Sequence, residues 1–141
     1  MESEIYDHIP HRPPFLWVDR VLSIENETIE AEKYFPPDLE MYDGHYPHHP
    51  ITPGVILCEA VFQAGALLIS DLLKKDGKTM PGVPVLTRIY GARFKRTVNP
   101  GDTVRLVAQL KEVIGAAWLL KGKVIIDGKV AVSVDFGCTM A

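Results

Sequence analysis

The sequence predicts an α+β fold, an antiparallel sheet wrapped around one long central helix. Three observations carry this. The stretch from Gly54 to Leu73 is almost wholly apolar and lies between a proline-rich loop and Gly77, as expected of a helix with no solvent face. Segments of period-two character flank it, two before and four after, and strands joined by tight turns pair antiparallel. Turn residues punctuate those segments, most clearly Asp127-Gly128, the type of pair a two-residue hairpin needs. At 141 residues the chain suits one domain, spanning 1–141.

Each element follows from its residues. Ser3 is placed to cap a short turn ending before Pro10. Phe15 to Ile24, FLWVDRVLSI, reads as a first strand, Glu25-Asn26-Glu27 as a turn and Thr28 to Phe35 as a second strand. Five prolines and glycines (Pro36, Pro37, Gly44, Pro47, Pro50) keep Pro36 to Ile51 irregular. Thr52 is the expected helix N-cap, with Pro53 at the first helical position, where its missing N–H costs nothing. Lys74 and Lys75 suit the negative end of the dipole, and Gly77 stops the helix. Val83 to Lys95 then reads as a strand with a bulge at Gly91. Asn99 to Asp102 is a turn, and strands follow over Thr103 to Ile114, Trp118 to Ile126 and Lys129 to Thr139. One thin sheet cannot cover a helix apolar on nearly all sides, so a dimer is expected.

Composition narrows the function. Hydrophobic residues make up 47% and charged residues 23%, which excludes a disordered chain. A net charge of −3 argues against a nucleic-acid binder. Two cysteines form no disulfide framework, so a reducing, cytoplasmic setting is expected. No basic stretch leads into an apolar run at the start, so no signal peptide is expected. Glu59 and Gln63 interrupt the apolar stretch, which argues against a membrane span. The charge is unevenly distributed. Residues 1–76 hold 14 acids and 5 bases, and residues 77–141 hold 4 acids and 10 bases. Arg93, Lys95 and Arg96 belong to an acid-free basic segment from Gly77 to Gly101. Such a segment either pairs with the acidic half of its own fold or a sister subunit, or steers an acidic partner.

Few residues can do chemistry. Glu59 stands near the start of an apolar helix, where burying a carboxylate is costly, and Gln63 follows one turn later. Glu59 either meets a basic residue at a subunit interface or is a carboxylic acid kept protonated by burial for proton transfer. His45 is either a surface loop histidine or a base beside the N-terminus of that helix. There Gly54 supplies the first free N–H and bare backbone for a close approach. His8, His11, His48 and His49 have no zinc-like spacing with His45 and Glu59, so no metal is expected. Cys58 is expected to be buried and inert.

These residues lie within a recognisable pattern. The Pro10–Val21 segment, PHRPPFLWVDRV, resembles the opening of FabZ-type 3-hydroxyacyl-(acyl-carrier-protein) dehydratases of the FabA/FabZ family. Gly44–Gln63, GHYPHHPITPGVILCEAVFQ, resembles their G-H-F-P-G-x-P-x-M-P-G-V…E-A-x-x-Q signature, with the same His-to-Glu spacing, and Ala92–Asp102, ARFKRTVNPGD, resembles a third segment. The resemblance implies a hot-dog fold and a homodimer with two composite sites, often a trimer of dimers. It implies that 3-hydroxyacyl chains on the phosphopantetheine arm of acyl carrier protein become trans-2-enoyl thioesters, in dissociated (type II) fatty-acid biosynthesis. No cofactor is implied beyond that arm. His45 is then the base, Glu59 the acid from the other subunit, and the Gly54 N–H the donor to the thioester oxygen. Gln63 and Phe62 join Gly54 as candidate substrate-binding residues, and Arg93, Lys95 and Arg96 become candidates for receiving the carrier protein.

The match has departures. Tyr46 stands for Phe, His48 for Gly, Thr52 for Met, and Val61-Phe62 for Met-Ala. They leave the catalytic pair intact and bear on chain length and substrate class. FabA-type relatives carry Asp at the Glu59 position, so isomerisation is not expected. Two other readings use the same fold: a thioesterase, with the helix carboxylate activating water or attacking the thioester, and a non-catalytic acyl-binding or assembly subunit. The His45–Glu59 pair favours dehydration, since elimination needs one proton removed and another delivered.

Overall fold

Two hairpins with mirror-image turns show how directly local sequence sets this architecture. Asn26 and Glu27 have φ of 51° and 57°, and Asp127 and Gly128 have φ of 50° and 75°. Positive φ at both central positions is the turn whose twist matches paired strands. A computed structural model describes residues 5–79 and 82–141; the expected Ser3 cap lies outside the described residues. The strands are β1 (Arg20–Glu25), β2 (Thr28–Tyr34), β3 (Pro84–Phe94), β4 (Thr103–Ile114), β5 (Ala117–Ile126) and β6 (Lys129–Met140). The helices are α1 (Met41–Gly44), a single turn, and α2 (Gly54–Lys75).

All strand pairs are antiparallel, in the order β1-β2-β4-β5-β6-β3. The sheet packs along α2 through β2, β4, β5, β3 and β6. This is the hot-dog arrangement that the resemblance implies. Strand parity sets the inner face: Ile29 and Ala31 on β2, and Val104, Leu106 and Ala108 on β4, are all buried. Helix and sheet approach closely. A Cβ at Gly122 would collide with Val61, and one at Gly65 would come within 3.1 Å of Phe136. By length and composition α2 could cross a membrane, but 67% of its most apolar window is buried inside the fold.

Three expectations need correction. The first strand begins at Arg20, not Phe15. The Trp17 N–H donates to Gln63 Oε1 at 2.8 Å, and the Phe15 carbonyl accepts from Gln63 Nε2 at 2.9 Å. A helix side chain thus satisfies backbone groups that a strand would have paired. The second correction is at the start of α2. Pro53, with ψ of 133°, is the N-cap, and no side chain caps the helix. The Thr52 hydroxyl is instead buried against the Tyr42 hydroxyl at 2.6 Å. Third, α2 runs two residues past Leu73 to Lys75. It ends at Gly77 (φ 70°), where Gly77 N–H donates to the Lys74 carbonyl and Lys78 N–H to the Leu73 carbonyl, a Schellman cap. The expected bulge in β3 is present, with the register slipping between Ile89 and Gly91.

β3 lies at the sheet edge, and among the described residues its one strand partner is β6. Nearly every position on it is exposed, including Val85, Leu86, Ile89, Tyr90 and Phe94. An apolar, unpaired edge of this length is a template for another strand.

Candidate active site

Gln63 organises one end of the site. It is 1% exposed. Its Oε1 accepts from Trp17 N–H, and its Nε2 donates to the Phe15 carbonyl and, at 3.0 Å, to Glu59 Oε2. One side chain therefore ties the N-terminal strap to α2 and aims the carboxylate one turn earlier. Its polar groups are taken up within its own chain. Glu59 is not sealed in the core: its side chain is 25% exposed, with His11 Nε2 3.8 Å from Oε2. His11 Nδ1 is buried, with no hydrogen-bond partner among the described residues.

Glu59 and His11 open onto a cavity of about 270 Å³ between α2, the strap and the start of β3. Phe62, Gln63 and Ala66 continue the Glu59 stripe along the helix, and Leu86 and Cys138 face it from the sheet. Burial, followed by the nearby Glu59 carboxylate, pushes the Cys138 thiol up to about 11. Cys58 is buried as expected, and burial raises its thiol too. Among the described residues, no group of three or more His, Cys, Asp or Glu side chains could hold a metal.

His45 does not line the cavity of its own chain's Glu59. It follows α1, half-buried, with Nδ1 2.9 Å from the Ile51 carbonyl. A carbonyl only accepts, so Nδ1 is the donor, which places the lone pair of the neutral tautomer on Nε2. Tyr46 packs edge-on against the ring at 4.7 Å and holds φ of 54°, a strained conformation for a side-chain-bearing residue. His48 and His49 are exposed.

Gly54 is the first residue of α2, so its N–H lacks an intrahelical acceptor. The Phe94 ring lies so close that a Cβ on Gly54 would be 2.7 Å from Cε1. Arg93, Lys95 and Arg96 lie at the end of β3 and just beyond, all exposed. None of the three is in an ion pair among the described residues, so the acidic half of their own fold does not neutralise them.

The structure thus gathers Glu59, Gln63 and Phe62 in one cavity and keeps His45 out of it. Sequence reasoning missed His11 and Cys138 there. His11 was visible only as a possible metal ligand. Cys138 shares strand parity with the inward Phe136, but its register against Glu59 depends on how β6 docks on α2.

Comparison with known proteins agrees in family and fold. A family model for the FabA-like domain matches residues 9–135. The chain is similar to a 3-hydroxyacyl-(acyl-carrier-protein) dehydratase FabZ of Dechloromonas aromatica, 39% identical over 137 residues, covering 96% of this chain and 94% of that protein. A FabZ of Clostridium perfringens is 37% identical over 131 residues, covering 93% and 91%. Among solved structures, the dehydratase heterocomplex ApeI:P from Xenorhabdus doucetiae superposes with a TM-score of 0.81 at 14% identity, covering 97% of this chain and 90% of that one. The PaaI protein of E. coli gives 0.65 at 13% identity, covering 85% and 81%. At such identities the structural likeness speaks for the fold alone.

Proposed function

Since the chain belongs to the FabA-like family and to its FabZ-type 3-hydroxyacyl-(acyl-carrier-protein) dehydratases, we propose that His45 and Glu59 are its proton-transfer pair. The enzyme is a hydro-lyase of fatty-acid biosynthesis. It converts 3-hydroxyacyl-(acyl-carrier-protein) to the trans-2-enoyl thioester. The observation that carries the site assignment is the Glu59 carboxylate, fixed by Gln63 at one end of a largely apolar cavity.

The chemistry runs as follows. His45 Nε2 takes a proton from C2 of the acyl chain, next to the thioester carbonyl. The Gly54 N–H, at the positive end of α2, holds the charge developing on the carbonyl oxygen. Glu59 delivers a proton to the hydroxyl leaving C3, the C2–C3 double bond forms and water departs. Gln63 serves as a positioning residue for Glu59 rather than as a substrate contact. No cofactor enters, since the C2–H and C3–O bonds break with only proton transfers from and to the protein and no change in overall oxidation state.

His45 of one chain works with Glu59 of its partner in a homodimer joined along the β3 edge. Two facts support this: His45 is absent from its own chain's Glu59 cavity, and the apolar β3 edge is open. Three such dimers can make a hexamer. Arg93, Lys95 and Arg96, exposed and without an ion pair among the described residues, receive the acidic carrier protein, and the reaction takes place in the cytoplasm.

The test follows two products from one substrate. Purified protein given a 3-hydroxyacyl thioester should form enoyl product without releasing thiol, and Glu59→Gln should abolish that formation. Thiol release that depends on Glu59 would make the protein a thioesterase and overturn the assignment.

A further inference from the structure

One large apolar side chain of α2 lines the cavity beside Glu59. Four residues of α2 line it at helical spacing: Glu59, Phe62, Gln63 and Ala66. Gln63 is consumed by its three hydrogen bonds. Phe62 is therefore the large side chain of α2 between the carboxylate and Ala66, which lies about 10 Å further along the axis.

The Phe62 ring has little room to retreat. It packs on Phe136 with centroids 4.7 Å apart and planes inclined by 56°. Phe136 is fully buried, its ring seated over two glycines. A Cβ on Gly65 would come within 3.1 Å of it, and one on Gly122 within 3.4 Å. In a close-packed interior a ring so backed cannot swing aside without moving the helix from the sheet. Pro84, Val85 and Leu86 of β3 also line the cavity.

Beyond Glu59, where C2, C3 and the departing hydroxyl lie, an acyl tail that runs along α2 meets Phe62 before Ala66.

We propose that Phe62 is a chain-length determinant of this enzyme, favouring short 3-hydroxyacyl chains over long ones. The inference rests on the dehydratase reading of the same site and deepens it. Longer chains meet the Phe62–Phe136 pair and are excluded from the productive position. The expected signature is a change in the ratio of kcat/KM for long chains to that for short ones.

The experiment uses carrier-linked 3-hydroxyacyl substrates of four, eight and sixteen carbons with wild-type enzyme, Phe62→Ala and Phe62→Met. Methionine keeps apolar volume on a flexible stem, so it guards against a folding defect in the alanine variant. Wild type should favour four and eight carbons over sixteen by on the order of tenfold or more, and both variants should shrink that ratio by a similar factor. Equal turnover of all lengths by wild type overturns the inference, as does a ratio that neither variant changes. In both cases enoyl formation shows that the dehydratase reading itself stands. Failure of wild type to dehydrate any length overturns both.

Discussion

Gln63 and Glu59 sit one turn apart on α2, and the Gln63 amide donates to the Glu59 carboxylate at 3.0 Å. The same amide group holds the backbone at Phe15 and Trp17. Orientation of the proposed acid and attachment of the N-terminal strap therefore depend on one side chain. A carboxylate aimed by a buried, saturated neighbour is preorganised, and preorganisation separates a proton donor from a merely nearby carboxylate.

Replacing Gln63 should therefore do two things together. In Gln63→Leu the Trp17 N–H and Phe15 carbonyl lose their buried partner, at about 1–3 kcal/mol for each group left unpaired. Thermal unfolding should shift down by several degrees, and kcat should fall because Glu59 is no longer aimed. Gln63→Glu keeps an acceptor for Trp17 N–H but no amide donor, so it should recover part of the stability and little of the activity. Wild-type kcat in Gln63→Leu would show that Glu59 needs no positioning.

Much of this architecture is legible in the sequence because it rests on local rules. Asp127-Gly128 makes a turn wherever it falls between two strands, and Gly77 ends a helix because it accepts φ of 70°. What was not legible depends on distant partners. Phe15 to Val18 has the composition of a strand, yet Gln63, 46 residues beyond Trp17, takes the backbone bonds of Phe15 and Trp17. Thr52 has the right chemistry for an N-cap, but Tyr42 captures its hydroxyl. At the site, the motif spacing singled out His45 and Glu59. That the two come from different chains was implied by the family resemblance alone, since spacing along a loop does not fix where that loop lies.

The basic cluster predicts a salt-dependent, substrate-dependent effect. Reversing charge at Arg93, Lys95 and Arg96 should raise KM for carrier-linked substrate, and more at low salt than at high, because exposed charges are screened within about 8–10 Å at physiological ionic strength. Short thioester mimics lack the acidic carrier and should be turned over as by wild type. Equal losses on both substrates would remove these residues from docking.

Cys138 gives stability an alkaline limit. Its thiol ionises near 11 in the fold against 9.0 ordinarily. A group whose pKa is raised by folding contributes fully below its unfolded value, and loses that contribution as pH climbs through the folded one. The window is therefore about pH 9 to 11, and two units correspond to on the order of 2–3 kcal/mol. Urea midpoints measured at pH 8 and pH 10.5 should converge less steeply in Cys138→Ala than in wild type. Cys58, also raised by burial, contributes in the same direction and leaves a residual slope. Parallel slopes in wild type and Cys138→Ala would remove Cys138 as a source.

The strongest test of the composite site uses two inactive enzymes. His45→Ala and Glu59→Gln should each lower dehydration by roughly 10²-fold or more, the ordinary worth of a positioned acid or base. Neither should abolish folding, since His45 is only half-buried and Glu59 is a quarter open to solvent. If the two residues come from different chains, a hybrid dimer of these variants holds one site with both lesions and one with neither. Random exchange of equal amounts makes about half of all dimers hybrid, and one of the two sites in each is intact. Mixing should then restore about a quarter of wild-type activity per site. A residual near that of the separate variants, with exchange proven by differently labelled subunits, would place both residues in a single chain's site. It would require the loop carrying His45 to move toward its own Glu59 before reaction. Full recovery is not expected under either arrangement, so the quarter value is what distinguishes shared sites from contaminating wild type.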